Sequence, residues 1–178
     1  MNYLSLKSAT AEKIGKAQGN ITYHVLCDEA QELLFVTITG NDLAGCYSDE
    51  IVPFAHIEKC VDGMKAGTYV PSKLFFKAFS SSKSNNNNCG FLAAILRAEE
   101  LLAPVIDGVR KHVLQPGWDD WKMEMLTSNV KATPYIPPLP KGSVVAAKPT
   151  PKLTLKVGKK VVVVSEPIVE EVLDAESN

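Results

Sequence analysis

The chain has no CxxC pair, no apolar run near the length of a membrane span and no glycine-rich phosphate loop. Its four cysteines, Cys27, Cys46, Cys60 and Cys89, lie 19, 14 and 29 residues apart. That spacing leaves a zinc ribbon or a thioredoxin-like site unsupported and favours reduced, mostly buried thiols. The valine run VVVV at 161–164 and the longer apolar run FLAAIL at 91–96 are both far short of the roughly 18 residues that cross a bilayer. The opening MNYLSLKSATAEKIGK lacks the basic-then-apolar order of a signal peptide. A cytoplasmic protein without a membrane partner is therefore expected. Histidine is scarce, and His24, His56 and His112 stand in no motif that would pair them with a nucleophile. There is no internal repeat.

What the chain does have is sorted charge. Residues 1–130 carry 12 Lys and Arg against 15 Asp and Glu. Residues 131–160 hold seven lysines (Lys131, Lys141, Lys148, Lys152, Lys156, Lys159 and Lys160), six of the 11 prolines, and neither an acid nor an arginine. Residues 161–178 carry five acids and no base, so the whole sums to a net charge of −1 that conceals the pattern. Like charges repel and stay solvated until a counter-charge arrives, so the middle block reads as an arm for a polyanion or for an acidic protein face. The expected organisation is a compact α+β domain over 1–130, a Pro/Lys-rich extended linker over 131–152, and a β-hairpin with an acidic end over 153–178. About 130 residues are enough to bury a core.

Within the domain, residues 21–27 (ITYHVLC) and 33–39 (LLFVTIT) are rich in β-branched and aromatic side chains around a polar loop, the pattern of a hairpin. Ile21, Tyr23, Val25 and Cys27 alternate with Thr22, His24 and Leu26, and the second strand is apolar on both faces, which suits a central position. A further strand is expected over 43–47. A short helix is expected over 54–61 behind Pro53, and another over 73–79. The polar stretch 80–88 (SSSKSNNNN) reads as a loop. Strong helix formers over 91–103 predict a helix capped by Asn87 or Asn88 and stopped by Pro104. A second short helix follows over 105–113, and 118–126 (WDDWKMEML) has the spacing of an amphipathic docking helix. The expected core is Tyr23, Val25, Leu34, Val36, Ile38, Phe54, Ile57, Phe76, Leu92, Ile95, Leu96, Leu102, Trp118 and Trp121. Prolines three apart make 134–141 a polyproline II strip, and 153–157 with 160–164 suits a two-residue hairpin through Gly158-Lys159.

Candidate chemistry is sparse. Cys89 stands at the mouth of the predicted 91–103 helix, where a thiolate is favoured, but no base accompanies it, so a small buried residue is expected. His56 and Cys60 have i, i+4 spacing on one helix face, and with Cys46 they could be drawn as metal ligands, but a fourth must be invented. The carboxylate pairs Asp49-Glu50, Glu99-Glu100 and Asp119-Asp120 are adjacent and diverge, as solvated charge would. The SSSKSNNNNCG stretch lacks the glycines and terminal Lys-Ser/Thr of a P-loop. No catalytic residue, metal site or cofactor is assigned. The expected function is a non-enzymatic nucleic-acid-binding accessory protein that grips with the seven lysines. The alternative is an assembly or adaptor protein whose proline-rich tail and terminal hairpin add to a partner's sheet, with self-association through a sheet edge as a further expectation.

Overall fold

In a computed structural model, residues 2–15, 18–42, 46–80, 86–106, 108–128 and 132–138 are described, all within the unit Met1–Leu139. The predicted hairpin is its centre. Strands β2 (Asn20–Asp28) and β3 (Leu34–Asn41) pair antiparallel with Tyr23 opposite Ile38, Val25 opposite Val36 and Cys27 opposite Leu34. All six side chains are buried on the same sheet face, as the period-2 alternation requires. The loop between the strands is held by Asp28, whose Oδ1 accepts the backbone N–H groups of Glu32 (2.8 Å) and Leu33 (2.9 Å). The Leu33 bond first, then that from Glu32, keeps the Asp28 carboxyl below its usual range.

Three further strands, none of them expected from the sequence, complete this sheet. Strand β1 (Tyr3–Glu12) runs antiparallel to β2 along its whole length, with a bulge between Ser5 and Lys7. Strand β4 (Val52–Pro53) pairs with β3, and β8 (Thr133–Pro134) pairs with β1 at Leu4 and Ser5. The order is β4-β3-β2-β1-β8, so β3 has a neighbour on each side, as its two apolar faces suggested. The expected strand at 43–47 falls partly outside the described residues; Cys46–Glu50 has no regular structure, and β4 follows it.

The helical layer lies on the Tyr23–Val25 face. Helix α1 (Phe54–Val61) buries Phe54, Ile57 and Val61. A 3₁₀ helix (Ser72–Ala78) replaces the α-helix expected at 73–79, and it buries Phe75 while leaving Phe76 39 % exposed. The side chain expected in the core is thus its neighbour's, because three residues per turn shift the buried stripe relative to an α-helix. Helix α2 (Asn86–Ala98) supplies Leu92, Ile95 and Leu96 to the core. Each fully buried side chain of this kind contributes about 1.5–3 kcal/mol. Asn88, expected as a cap, is buried inside the first turn, where its Oδ1 accepts the Ser48 N–H at 3.0 Å.

The helix predicted for 91–103 stops at Ala98. Glu100 adopts φ +60°, and the N–H groups of Leu101 and Glu100 turn back to the carbonyls of Leu96 (2.9 Å) and Arg97 (3.1 Å). This is a Schellman closure without its usual glycine. Leu102–Val105 is then strand β6, and the helix expected over 105–113 is instead strand β7 (Gly108–Leu114). With β5 (Tyr69–Pro71) they form a second antiparallel sheet of order β5-β7-β6. Gly117, at φ +90°, turns the chain into α3 (Trp118–Thr127). Helix α3 buries no residue fully, but Trp118, Trp121, Met125 and Leu126 pack half-buried on the core as expected. The Phe54 ring lies 4.8 Å from that of Trp121 and 5.8 Å from that of Trp118. The fold is α+β, with helices packed on a five-stranded antiparallel sheet and a smaller sheet beside them. Among the described residues no helix is long and apolar enough to cross a membrane.

Candidate functional site

Lys131, Lys141, Lys148, Lys152, Lys156, Lys159 and Lys160 all lie outside the described residues, as does the expected hairpin at 153–164. The polyproline strip is described only to Pro138, and its first residue, Pro134, belongs to β8. The folded domain carries exposed lysines of its own. Lys59 on α1 and Lys73 and Lys77 on the 3₁₀ helix are exposed. The only acid of those two elements, Glu58, is held at 2.8 Å by Lys122 of α3.

Among the described residues, the one serine–histidine pair in the core has the wrong polarity for nucleophilic catalysis. Ser72 Oγ lies 2.7 Å from His112 Nε2, and Arg97 Nε donates to His112 Nδ1 at 2.8 Å. A guanidinium can only donate, so Nδ1 must hold its lone pair, and the ring proton of the neutral tautomer sits on Nε2. His112 therefore donates to Ser72 and has no lone pair with which to take the serine proton. Burial first, and the Arg97 cation second, lower its pKa to about 4. Arg97 also donates through Nη2 to the Lys111 carbonyl (3.1 Å), so the trio ties α2 to β7 and the 3₁₀ helix.

None of the four cysteines is joined in a disulfide in this structure. Cys89 is buried within α2, and desolvation raises its pKa, the reverse of activation. On α1 the Cys60 thiol donates to the His56 carbonyl at 3.3 Å, while the His56 ring is exposed. Among the described residues no group of three or more His, Cys, Asp or Glu side chains comes close enough to hold a metal ion.

Of the carboxylate pairs, Glu99-Glu100 departs from expectation. Glu100 is exposed, but Glu99 is 7 % exposed, because the turn that ends α2 aims it inward. It accepts from the Tyr23 hydroxyl, from Lys7 Nζ (2.8 Å) and from Trp121 Nε1 (3.0 Å). Burial, then the bond to Glu99, push the Tyr23 hydroxyl well above the ordinary phenol range. This carboxylate joins β1, β2 and α3, and all its neighbours are donors, so it is a structural clamp.

The opposite face of the main sheet holds a different set. His24 is flanked by Ser5 Oγ, 3.0 Å from Nδ1, and Ser8 Oγ, 3.4 Å from Nε2. The Tyr135 ring, carried by the chain after β8, stands 5.3 Å from the His24 ring at 57°. Desolvation lowers the His24 pKa, which favours the neutral ring. A groove of about 350 Å³ opens here, lined by Ser5, Ser8, His24 and Thr39 from the sheet and by Tyr135, Ile136 and Pro138 beyond β8. Sequence reading left this groove unseen, because residues 21 to 27 alternate faces and only the apolar set draws notice. A second cleft of about 330 Å³ lies where α1 ends and α3 begins; Glu58, Asp62 and Asp119 line it, and such a rim repels a polyanion. No protein-family model matches the chain, and neither a curated protein nor a solved structure is significantly similar to it.

Proposed function

We propose that the protein is a non-enzymatic, cytoplasmic nucleic-acid-binding accessory protein, in which a folded α+β platform carries a lysine-rich arm. The observation that carries this reading is the arm's composition: seven lysines over residues 131–160 without one acid. Lysines that neutralise phosphates release counterions, and the resulting grip is independent of base sequence. The platform supports the reading at two points. Lys59, Lys73 and Lys77 are exposed on neighbouring elements, and the Ser72–His112 pair has its proton on the wrong nitrogen for catalysis.

Fluorescence anisotropy with labelled single-stranded and duplex oligonucleotides, from about 50 to 200 mM salt, tests it. If all seven lysines meet phosphates, log Kobs should fall against log salt with a slope of about −6 for duplex and about −5 for single strands. Binding that is absent at the lowest salt, or flat across the range, rejects it. A second reading, β-augmentation by a protein partner, is favoured by one observation. Strand β8 covers β1 only at Leu4 and Ser5, so from Lys7 to Glu12 no described strand lies on the outer side of β1.

A further inference from the structure

We infer that the groove around His24 and Tyr135 receives an unpaired base of a single-stranded nucleic acid; this rests on the nucleic-acid reading above and adds the part of the ligand that the lysines do not hold. None of the side chains lining the groove is a carboxylate, an ammonium or a guanidinium. Asp49, which is not part of the lining, raises the Tyr135 hydroxyl pKa behind the effect of burial. A site without cations does not select a phosphate. It suits a neutral planar group with polar edges, for which Ser5, Ser8 and Thr39 supply hydroxyls that both donate and accept.

The volume, about 350 Å³, is at the lower end of small-ligand sites and fits one base with part of its sugar. Two rings that are neither parallel nor coplanar leave the half-buried His24 ring, pinned by its two serines, as a fixed face on which a base can stack. Stacking of this kind tolerates any base, since each has a π face. The charges adjoin the groove in sequence: Lys131 stands two residues before Thr133, and Lys141 three residues after Pro138. The arm thus holds the backbone from a chain segment that also walls an uncharged slot.

The experiment uses the full chain and a labelled oligo-dT, with an abasic oligonucleotide of the same length as the second probe. His24→Ala should weaken oligo-dT binding by about 5- to 150-fold at fixed salt, the range for loss of one stacked base, and leave the salt slope unchanged. His24→Phe, which restores a ring, should recover most of the loss. On the abasic probe the wild type and His24→Ala should bind alike. Equal oligo-dT affinity for wild type and His24→Ala, or a loss of the same size on the abasic probe, overturns the inference while leaving the arm's role intact. Failure of the wild type to bind either probe overturns the functional reading itself, and this inference with it. A far-UV melt of each variant separates loss of a contact from loss of the fold, and Tyr135→Ala, expected to act in the same direction, gives a second reading of the slot.

Discussion

Replacing Glu99 should cost more stability than replacing Tyr23 or Lys7, two of the residues that donate to it. Three donors converge on its carboxylate, and they are not equal. Tyr23 is 1 % exposed, so with Glu99→Ala its hydroxyl becomes a buried unsatisfied donor at about 1–3 kcal/mol. The half-buried Trp121 indole N–H loses its acceptor, worth about 1 kcal/mol. Lys7, whose side chain is 39 % exposed, regains water and adds at most about 1 kcal/mol. With the void left by the side chain, the sum is about 3–5 kcal/mol, the range seen when a buried pair is broken. For a domain of this size that lowers Tm by about 10–15 °C. Tyr23→Phe, which leaves Glu99 two donors, should cost about 1–2 kcal/mol, and Lys7→Ala less than either. Urea unfolding followed by far-UV circular dichroism gives the order. Tryptophan emission adds a local report, because Trp118 and Trp121 are the only tryptophans and both sit on α3. A Glu99→Ala variant within about 1 kcal/mol of wild type would refute the clamp, as would a Lys7→Ala variant that is worse than Tyr23→Phe.

His112 predicts an acid-sensitive term. Its folded pKa of about 4 lies below the ordinary 6.5, so between those values the unfolded chain binds the proton and the folded chain does not. Stability from this group is complete above pH 6.5 and falls by up to about 3 kcal/mol as pH drops to 4; His112→Asn should flatten that slope in urea unfolding at stepped pH. Alkylation of the native protein should modify exposed Cys46 first, since burial raises the pKa of Cys27, Cys60 and Cys89; mass spectrometry that finds Cys89 fastest would restore it as a reactive thiol. A chain ending at residue 139 should melt with the full protein, whereas one ending at 130 loses β8 and the Tyr135 N–H bond to Tyr3 O (2.8 Å) and should be less stable by about 1–3 kcal/mol.

The legible parts of the fold were those where one pattern dominated. The hairpin could be read because its β-branched residues alternate and Asp28 closes the loop by accepting backbone N–H groups. Helix α1 had Pro53 at its start, and α3 had its two tryptophans one turn apart. Strand β1 was missed because YLSLKSATAE buries only Leu6 and Ala11, too few apolar residues to announce a strand. Strand β7 was missed for a related reason: its inward positions include His112, which is fully buried yet reads as polar. The end of α2 was hidden because Glu100 takes the left-handed conformation normally marked by glycine or asparagine. That same turn buries Glu99, so an error of a few residues in a helix end concealed the clamp. The charge-sorted arm needed no fold to be seen. The His24 groove needed the sheet register to bring β1 serines beside a β2 histidine.

The most direct test of the central claim is the salt dependence of nucleic-acid binding in a full-length variant with Lys152, Lys156, Lys159 and Lys160 all changed to Gln. The arm reading predicts weaker binding and a log–log salt slope on duplex DNA reduced by up to about 3.6, at about 0.9 per lost phosphate contact. An affinity and a slope equal to those of the wild type would contradict it and leave the arm without the role assigned to it.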